Sequence, residues 1–184
     1  VRLPQTNMLR IGVAASAAYI GGSRQARAPE GDGEAVCRAY YKLQEAVQRA
    51  GADSFPFAMA TAIDAGSAPG GWTKYLAADR GCGRVYSVDP GALEVKGESI
   101  THMRCKIQDA LPTIAAELMA AGRQVDVFVS DLVPHTEGEL TDVVRSLLTS
   151  TPRLLRKGAL VVLTFKTRAS RGFTEAGCSD LALE

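Results

Sequence analysis

The chain has 184 residues, a formal net charge of +1 and 46% hydrophobic residues. That length forms one domain with a substantial core, and that balance excludes both a disordered polyion and a transmembrane protein. Four scattered cysteines (Cys37, Cys82, Cys105, Cys178), without C-x-x-C spacing and with only two histidines, argue against zinc and against a disulfide framework.

Residues 1–34 read as an N-terminal extension. They hold Arg2, Arg10, Arg24 and Arg27, no acid before Glu30, and the small-residue run IGVAASAAYIGG, which is too short to span a bilayer. A mobile extension or short added strand is the first expectation, and a mitochondrial or plastid targeting segment the second. From Ala35 to Ala50 the positions Val36, Tyr40, Leu43 and Val47 recur at helical spacing, and Gly51 follows as a stop. Arg38 and Lys42 ride on this helix.

An alternating pattern then begins. Met59 to Asp64 is an apolar strand, and the loop GSAPGG leads to a helix from Trp72 to Asp79. VYSVD is a second strand ending at Asp89, Ile100 to Cys105 a third, and Pro112 to Ala121 a helix stopped by Gly122. Val125 to Asp131 is a fourth strand. A helix is expected over 138–156, kinked or ended by Pro152, and Ala159 to Lys166 is a fifth strand. Apolar runs alternating with helices predict a mostly parallel sheet with helices on both faces, a Rossmann-like fold. Right-handed crossovers then put Asp64, Asp89, Asp131 and Lys166 on one rim.

Strand, glycine loop and helix in that order form a nucleotide-type ligand site. Asp64, Gly66, Ser67, Pro69, Gly70, Gly71 and Trp72 are the candidate cradle, and Asp89 is placed to accept from ribose hydroxyls. Asp109 either faces an adenine amino group or caps the next helix. The loop lacks G-x-G-x-x-G spacing, and no residues suited to hydride chemistry stand out. S-adenosylmethionine is therefore expected over a dinucleotide. Between Val143 and Thr174 the chain has no acid but holds Arg145, Arg153, Arg156, Lys157, Lys166, Arg168 and Arg171, which points to a polyanionic partner.

DAGSAPGGW, VYSVD, VFVSDLVPH, RAYYKL and VVLTFK, in this arrangement, resemble the FtsJ-type RNA ribose 2′-O-methyltransferases over about Cys37 to Lys166. VYSVDPG and SDLV are also similar to the RlmM-type branch that modifies large-subunit ribosomal RNA. The resemblance implies a class I methyltransferase fold and catalysis by a Lys-Asp-Lys-Glu tetrad, whose first three members fall on Lys42, Asp131 and Lys166. Lys166 is then the base or hydroxyl-orienting group, Lys42 the nearby cation, and Asp131 their common partner and a cofactor contact.

The fourth member, a glutamate on a late strand, has no counterpart. Glu175 comes too soon after Lys166, and Glu184 is the last residue. The expectation over 35–184 is thus a methyltransferase domain lacking the last two strands. Its exposed sheet edge invites a second copy or a partner protein. Arg38, Arg153, Arg156, Lys157, Arg168 and Arg171 are the expected RNA contacts, beside Lys166. RNA, with ribosomal RNA favoured, is the expected substrate, acted on in the cytoplasm, away from membranes. The alternatives are a weak or inert cofactor- and RNA-binding module and, below it, a dehydrogenase of similar fold.

Overall fold

In the computed structural model the described residues are 39–132 and 153–164, together with 142, 143, 145–147 and 149. The extension 1–34, Arg38, Lys166, Arg168, Arg171 and Glu175 lie outside them. The elements are α1 (Ala39–Arg49), β1 (Thr61–Ala65), α2 (Gly71–Lys74), β2 (Arg84–Val88), β3 (Ile100–Met103), α3 (Ile107–Ala120), β4 (Val125–Ser130) and β5 (Leu155–Leu163). All strand pairs are parallel, in the order β3-β2-β1-β4-β5. The chain runs outward from β1 in one direction, then returns to β1's other side at β4. That reversal makes a topological switch point between the carboxyl ends of β1 and β4, where open sheets of this kind take their ligands.

Every residue of β1 is buried, as a central parallel strand covered on both faces requires. Ile63, Ala65, Val88 and Phe128 pack with Ile107, Ala110, Ile114 and Leu118 of α3 and with Val143 and Leu147 from helical residues. Ala62, Val85, Val127 and Val129 pack on the other face with Leu43 and Val47 of α1 and with Trp72, Tyr75 and Leu76. Helices therefore cover both faces, as expected.

Several boundaries differ from the sequence expectation. The helix after β3 begins at Ile107, ahead of Pro112, because Ile107, Ala110, Ile114 and Leu118 form one buried stripe that holds the first turns in place. The helix expected from Trp72 is regular only to Lys74. It continues as a π-helical turn over Tyr75–Asp79, in which the Arg80 amide donates to the Tyr75 carbonyl. Arg153 and Leu154 are not helical, and β5 starts at Leu155, well before Ala159. Leu155 pairs with Val125 and Arg156 forms an ion pair with Asp126, so cross-strand partners overrule the helical pattern of RLLRK. A register shift between Val125 and Val127 and a positive φ at Gly158 let that early segment join the strand. Among the described residues no helix is long and apolar enough to cross a membrane.

Candidate functional site

The loop between β1 and α2 needs its glycines. Gly66 has φ 83° and its amide donates to the Val88 carbonyl at 2.9 Å. A Cβ there would stand 3.1 Å from the Leu132 amide nitrogen, next to Asp131. Gly70 has φ 128°, and a Cβ would lie 2.6 Å from Val95 Cγ2. The Ala68–Pro69 peptide is cis. The segment after β2 lies against this loop, with the Glu94 amide donating to the Pro69 carbonyl at 2.8 Å.

Beneath the loop Asp64 is fully buried. Its Oδ2 accepts from Thr73 Oγ1 at 2.8 Å, and Thr73 Oγ1 lies 2.8 Å from Ser87 Oγ. The Thr73 hydroxyl has one hydrogen, which goes to the carboxylate, so Ser87 donates to Thr73. Asp64 Oδ1 and the buried Ser67 Oγ have no hydrogen-bond partner among the described residues. Burial pushes the Asp64 carboxyl up to about 7; the Thr73 bond opposes this, and the charges of Asp131 and Asp89 reinforce it. A buried carboxylate with an unused oxygen needs a cation or a proton.

Asp89 is half-buried just past β2. Its Oδ1 accepts from the Gly91 amide at 2.6 Å and its Oδ2 from the Ala68 amide at 3.3 Å. The carboxylate thus ties the glycine loop to the segment after β2 and keeps lone pairs for further donors. Asp109 is exposed in the first turn of α3, its amide bonded to the Lys106 carbonyl. It is not the cap: Lys106 takes that position, without a side-chain cap bond, and Asp109 lies inside the first turn.

Asp131 follows β4, and its amide donates to the Ala65 carbonyl at 3.2 Å, across the switch point. Lys42 Nζ reaches to 3.8 Å from Asp131 Oδ2, with the two side chains 41% and 15% exposed. Trp72 brings the lysine's helix here: the buried indole Nε1 donates to the Ala39 carbonyl at 2.6 Å, one turn before Lys42. Lys42, Asp131, the glycine loop and Trp72 therefore converge at one end of the sheet. At the same end the Thr164 amide, just past β5, donates to the Ser130 carbonyl at 2.8 Å.

Arg153, Arg156 and Lys157 do not belong to this rim. They sit before and in the first residues of β5, at the amino edge of the sheet, and Arg156 is held by Asp126 near the start of β4. The expectation that they flank the cleft is corrected: an early start to β5 carries them to the far end of the strand. Thr73 and Ser87 were missed. Ser87, a hydroxyl inside an otherwise apolar strand, was the available signal; Thr73 gave none.

An FtsJ-like methyltransferase family model matches residues 35–179. The chain belongs to the FtsJ-like methyltransferase family. Curated relatives include a ribosomal RNA large subunit methyltransferase E from Verminephrobacter eiseniae, 30% identical over 79% of this chain and 59% of the relative. Another of that description, from a Bradyrhizobium species, is 37% identical over 42% of this chain and 35% of its own length. The match thus spans about a third to three fifths of these relatives' lengths. A solved Plasmodium falciparum structure described as a ribosomal RNA methyltransferase superposes with TM-score 0.51 at 16% identity, covering 69% of this chain and 76% of that one, which bears on the fold alone.

Proposed function

We propose that this chain transfers a methyl group from S-adenosylmethionine to a ribose 2′-hydroxyl of RNA, with ribosomal RNA the favoured substrate. The single observation that carries the reading is the convergence of Lys42 and Asp131 on the glycine loop, at the switch point of the sheet. The relatives' printed names favour ribosomal RNA, and they are of the E type, where parts of the sequence resemble the RlmM-type branch.

The residues fit the cofactor. Asp64 Oδ1 and Ser67 Oγ are buried acceptors beside the loop, suited to the ammonium of a methionyl group. Asp89 and Asp109 are assigned to the nucleoside, and Gly66, Pro69, Gly70, Gly71 and Trp72 to the walls of the cradle. When bound, the cofactor supplies an electrophilic methyl on a sulfonium. The chain's own task is to align the ribose oxygen and remove its proton. Asp131 orients Lys42 and, by the family pattern, Lys166. Lys166 takes the hydroxyl proton or fixes the hydroxyl's direction. Positioning of this kind lowers a barrier by about 7–11 kcal/mol.

Arg38, Arg168 and Arg171 are assigned to phosphates near the cleft, contacts that would be salt-sensitive and blind to sequence. The action is placed in the cytoplasm. The β5 edge, outermost among the described residues, is where a second copy or a partner protein would add.

The test is calorimetric titration with S-adenosylmethionine, followed by single-turnover transfer of labelled methyl to bulk ribosomal RNA. Wild type should bind and transfer, and Lys166→Ala should bind without transferring. Full transfer by that variant would overturn the assignment of Lys166. Cofactor binding with no transfer by wild type would reduce the chain to a binding module.

A further inference from the structure

The end of the sheet opposite the glycine loop holds a groove that the proposed reaction does not use. It offers about 140 Å³ and is lined by Thr61, Arg84, Tyr86, Glu117, Leu118, Ala121 and Arg123. Thr61 opens β1 and Arg84 opens β2, and the two are direct register partners. Arg123 precedes β4, which pairs on the other side of β1. Arg84 stands level with Thr61 on the neighbouring strand, Arg123 lies in the turn ahead of β4, and both line the groove. Thr61 and Ala65 are separated by about 13 Å along β1, which keeps the groove apart from the glycine-loop end.

Thr61 is fully buried, lines the groove, and its Oγ1 has no hydrogen-bond partner among the described residues. A buried hydroxyl without a partner is an expensive feature unless something enters the groove to meet it. Two guanidinium groups stand beside it. Arg84 Nη1 donates to Thr101 Oγ1 at 3.2 Å, and Arg123 Nη2 donates to the Met59 carbonyl at 3.0 Å. Both partners are neutral, and among the described residues neither arginine has a carboxylate within ion-pair distance. A guanidinium has five N–H donors, so most of their capacity is unspent.

Three features oppose an anion here, and all are already engaged. The Asp126 carboxylate accepts from the Thr61 amide at 2.8 Å and is paired with Arg156. The Glu117 carboxylate accepts from the Tyr86 hydroxyl at 2.9 Å. The carbonyls at the end of α3 are met by the amides of Ala121, Gly122 and Arg123. With Asp126 offset by Arg156 and Glu117 engaged, Arg84 and Arg123 remain, and Arg153 is exposed just ahead of β5.

We propose that this groove at the amino edge of the sheet is a phosphate-binding site, in which Arg84, Arg123 and the buried Thr61 hydroxyl hold the oxygens of a phosphate group. The phosphate is either that of an RNA backbone crossing the back of the domain or a free oxyanion; both offer the acceptors that two guanidinium forks and a hydroxyl donor match. The inference does not require the transfer reaction.

The test is a backbone and side-chain NMR titration without methyl donor, once with inorganic phosphate against chloride at equal ionic strength and once with a short single-stranded RNA. Phosphate should move the Thr61, Arg84 and Arg123 signals, and Thr61→Val should weaken the response. If RNA moves the same signals, Arg84→Gln and Arg123→Gln should each lower the slope of log affinity on log salt by about 0.7. A response to inorganic phosphate alone assigns the groove to a free oxyanion, and a response to RNA alone to a backbone phosphate. If neither ligand moves those signals, the groove holds only water and the proposal falls. Preserved spectra of the two arginine variants separate that outcome from misfolding.

Discussion

Lys42 Nζ and Asp131 Oδ2 stand 3.8 Å apart, although one side chain rises from α1 and the other from the residue after β4. A partly exposed pair of this kind contributes only about 0–1 kcal/mol to stability. Its position at the switch point gives it a different use. Asp131→Asn should leave the melting temperature nearly unchanged and slow methyl transfer by about 10²-fold or more, in the range of acid–base and orienting groups. Single-turnover rates beside a thermal melt check this. A loss of stability equal to the loss of rate would make the pair structural.

The buried carboxylate at Asp64 makes stability depend on pH in a definite direction. Its ordinary value is 3.8, and in the folded protein it lies at about 7. The native state therefore holds this proton more tightly than the unfolded chain. Its contribution to stability is fully present below about 4 and is lost as pH rises through about 7. Asp64→Asn removes the dependence. Without ligand, the variant should gain stability relative to wild type as pH rises across that window, levelling off above it. Melts at a series of pH values test the point, and a pH-independent difference would contradict it.

The same carboxylate sets the pH dependence of cofactor affinity. A methionyl ammonium next to Asp64 Oδ1 favours the charged carboxylate. Affinity of wild type for S-adenosylmethionine should rise with pH through about 7, with proton release measurable in buffers of different ionisation enthalpy. Asp64→Asn should bind weakly, with that rise gone.

Much of this end of the molecule was legible in the sequence. The strands show as apolar runs, and the loop GSAPGGW carries its own constraint because Gly66 and Gly70 both adopt positive φ. Lys42 was harder, since a lone lysine on a helix is normally just solvated. Its role depends on Trp72 reaching the Ala39 carbonyl, a contact between distant parts of the chain. Two expectations fail for different reasons. The acid-free basic stretch points to a place for Arg156 beside Lys166, but its Asp126 partner on β4 holds it at the other edge of the sheet. Pro112 suggests a helix start, yet the spacing of Ile107, Ala110, Ile114 and Leu118 already carries the buried stripe that begins the helix earlier.

Trp72 links the cofactor loop to the lysine helix, so removing its N–H alone should uncouple them. Trp72→Phe keeps most of the ring volume and removes the indole's bond to the Ala39 carbonyl, which keeps its partner within the helix, a loss of about 1 kcal/mol. The expected result is a small drop in melting temperature with a larger fall in transfer rate. Adding Asp131→Asn should then cost little further rate, because both changes release the same lysine. A double-mutant cycle on single-turnover rates measures this, and additive losses would show that the indole does not act through Lys42.

Gly70 is the position where backbone and packing agree most closely. With φ at 128°, any L-residue is strained there, and a Cβ would meet Val95 Cγ2 at 2.6 Å. Gly70→Ala should cost about 1–3 kcal/mol through backbone strain and push Val95 and Leu93 away from the loop. Because the Glu94 amide holds the Pro69 carbonyl and Asp89 holds the Ala68 amide, that displacement should spread into the cradle. Cofactor affinity should fall by more than the stability loss alone explains. Shortening Val95 to alanine in the same chain removes the methyl clash but not the φ strain, so it should restore part of the affinity and little of the stability. Calorimetric titration and chemical melts on the single and double variants separate the two contributions, and full recovery of both would show that sterics alone, not backbone conformation, fixes glycine at this position.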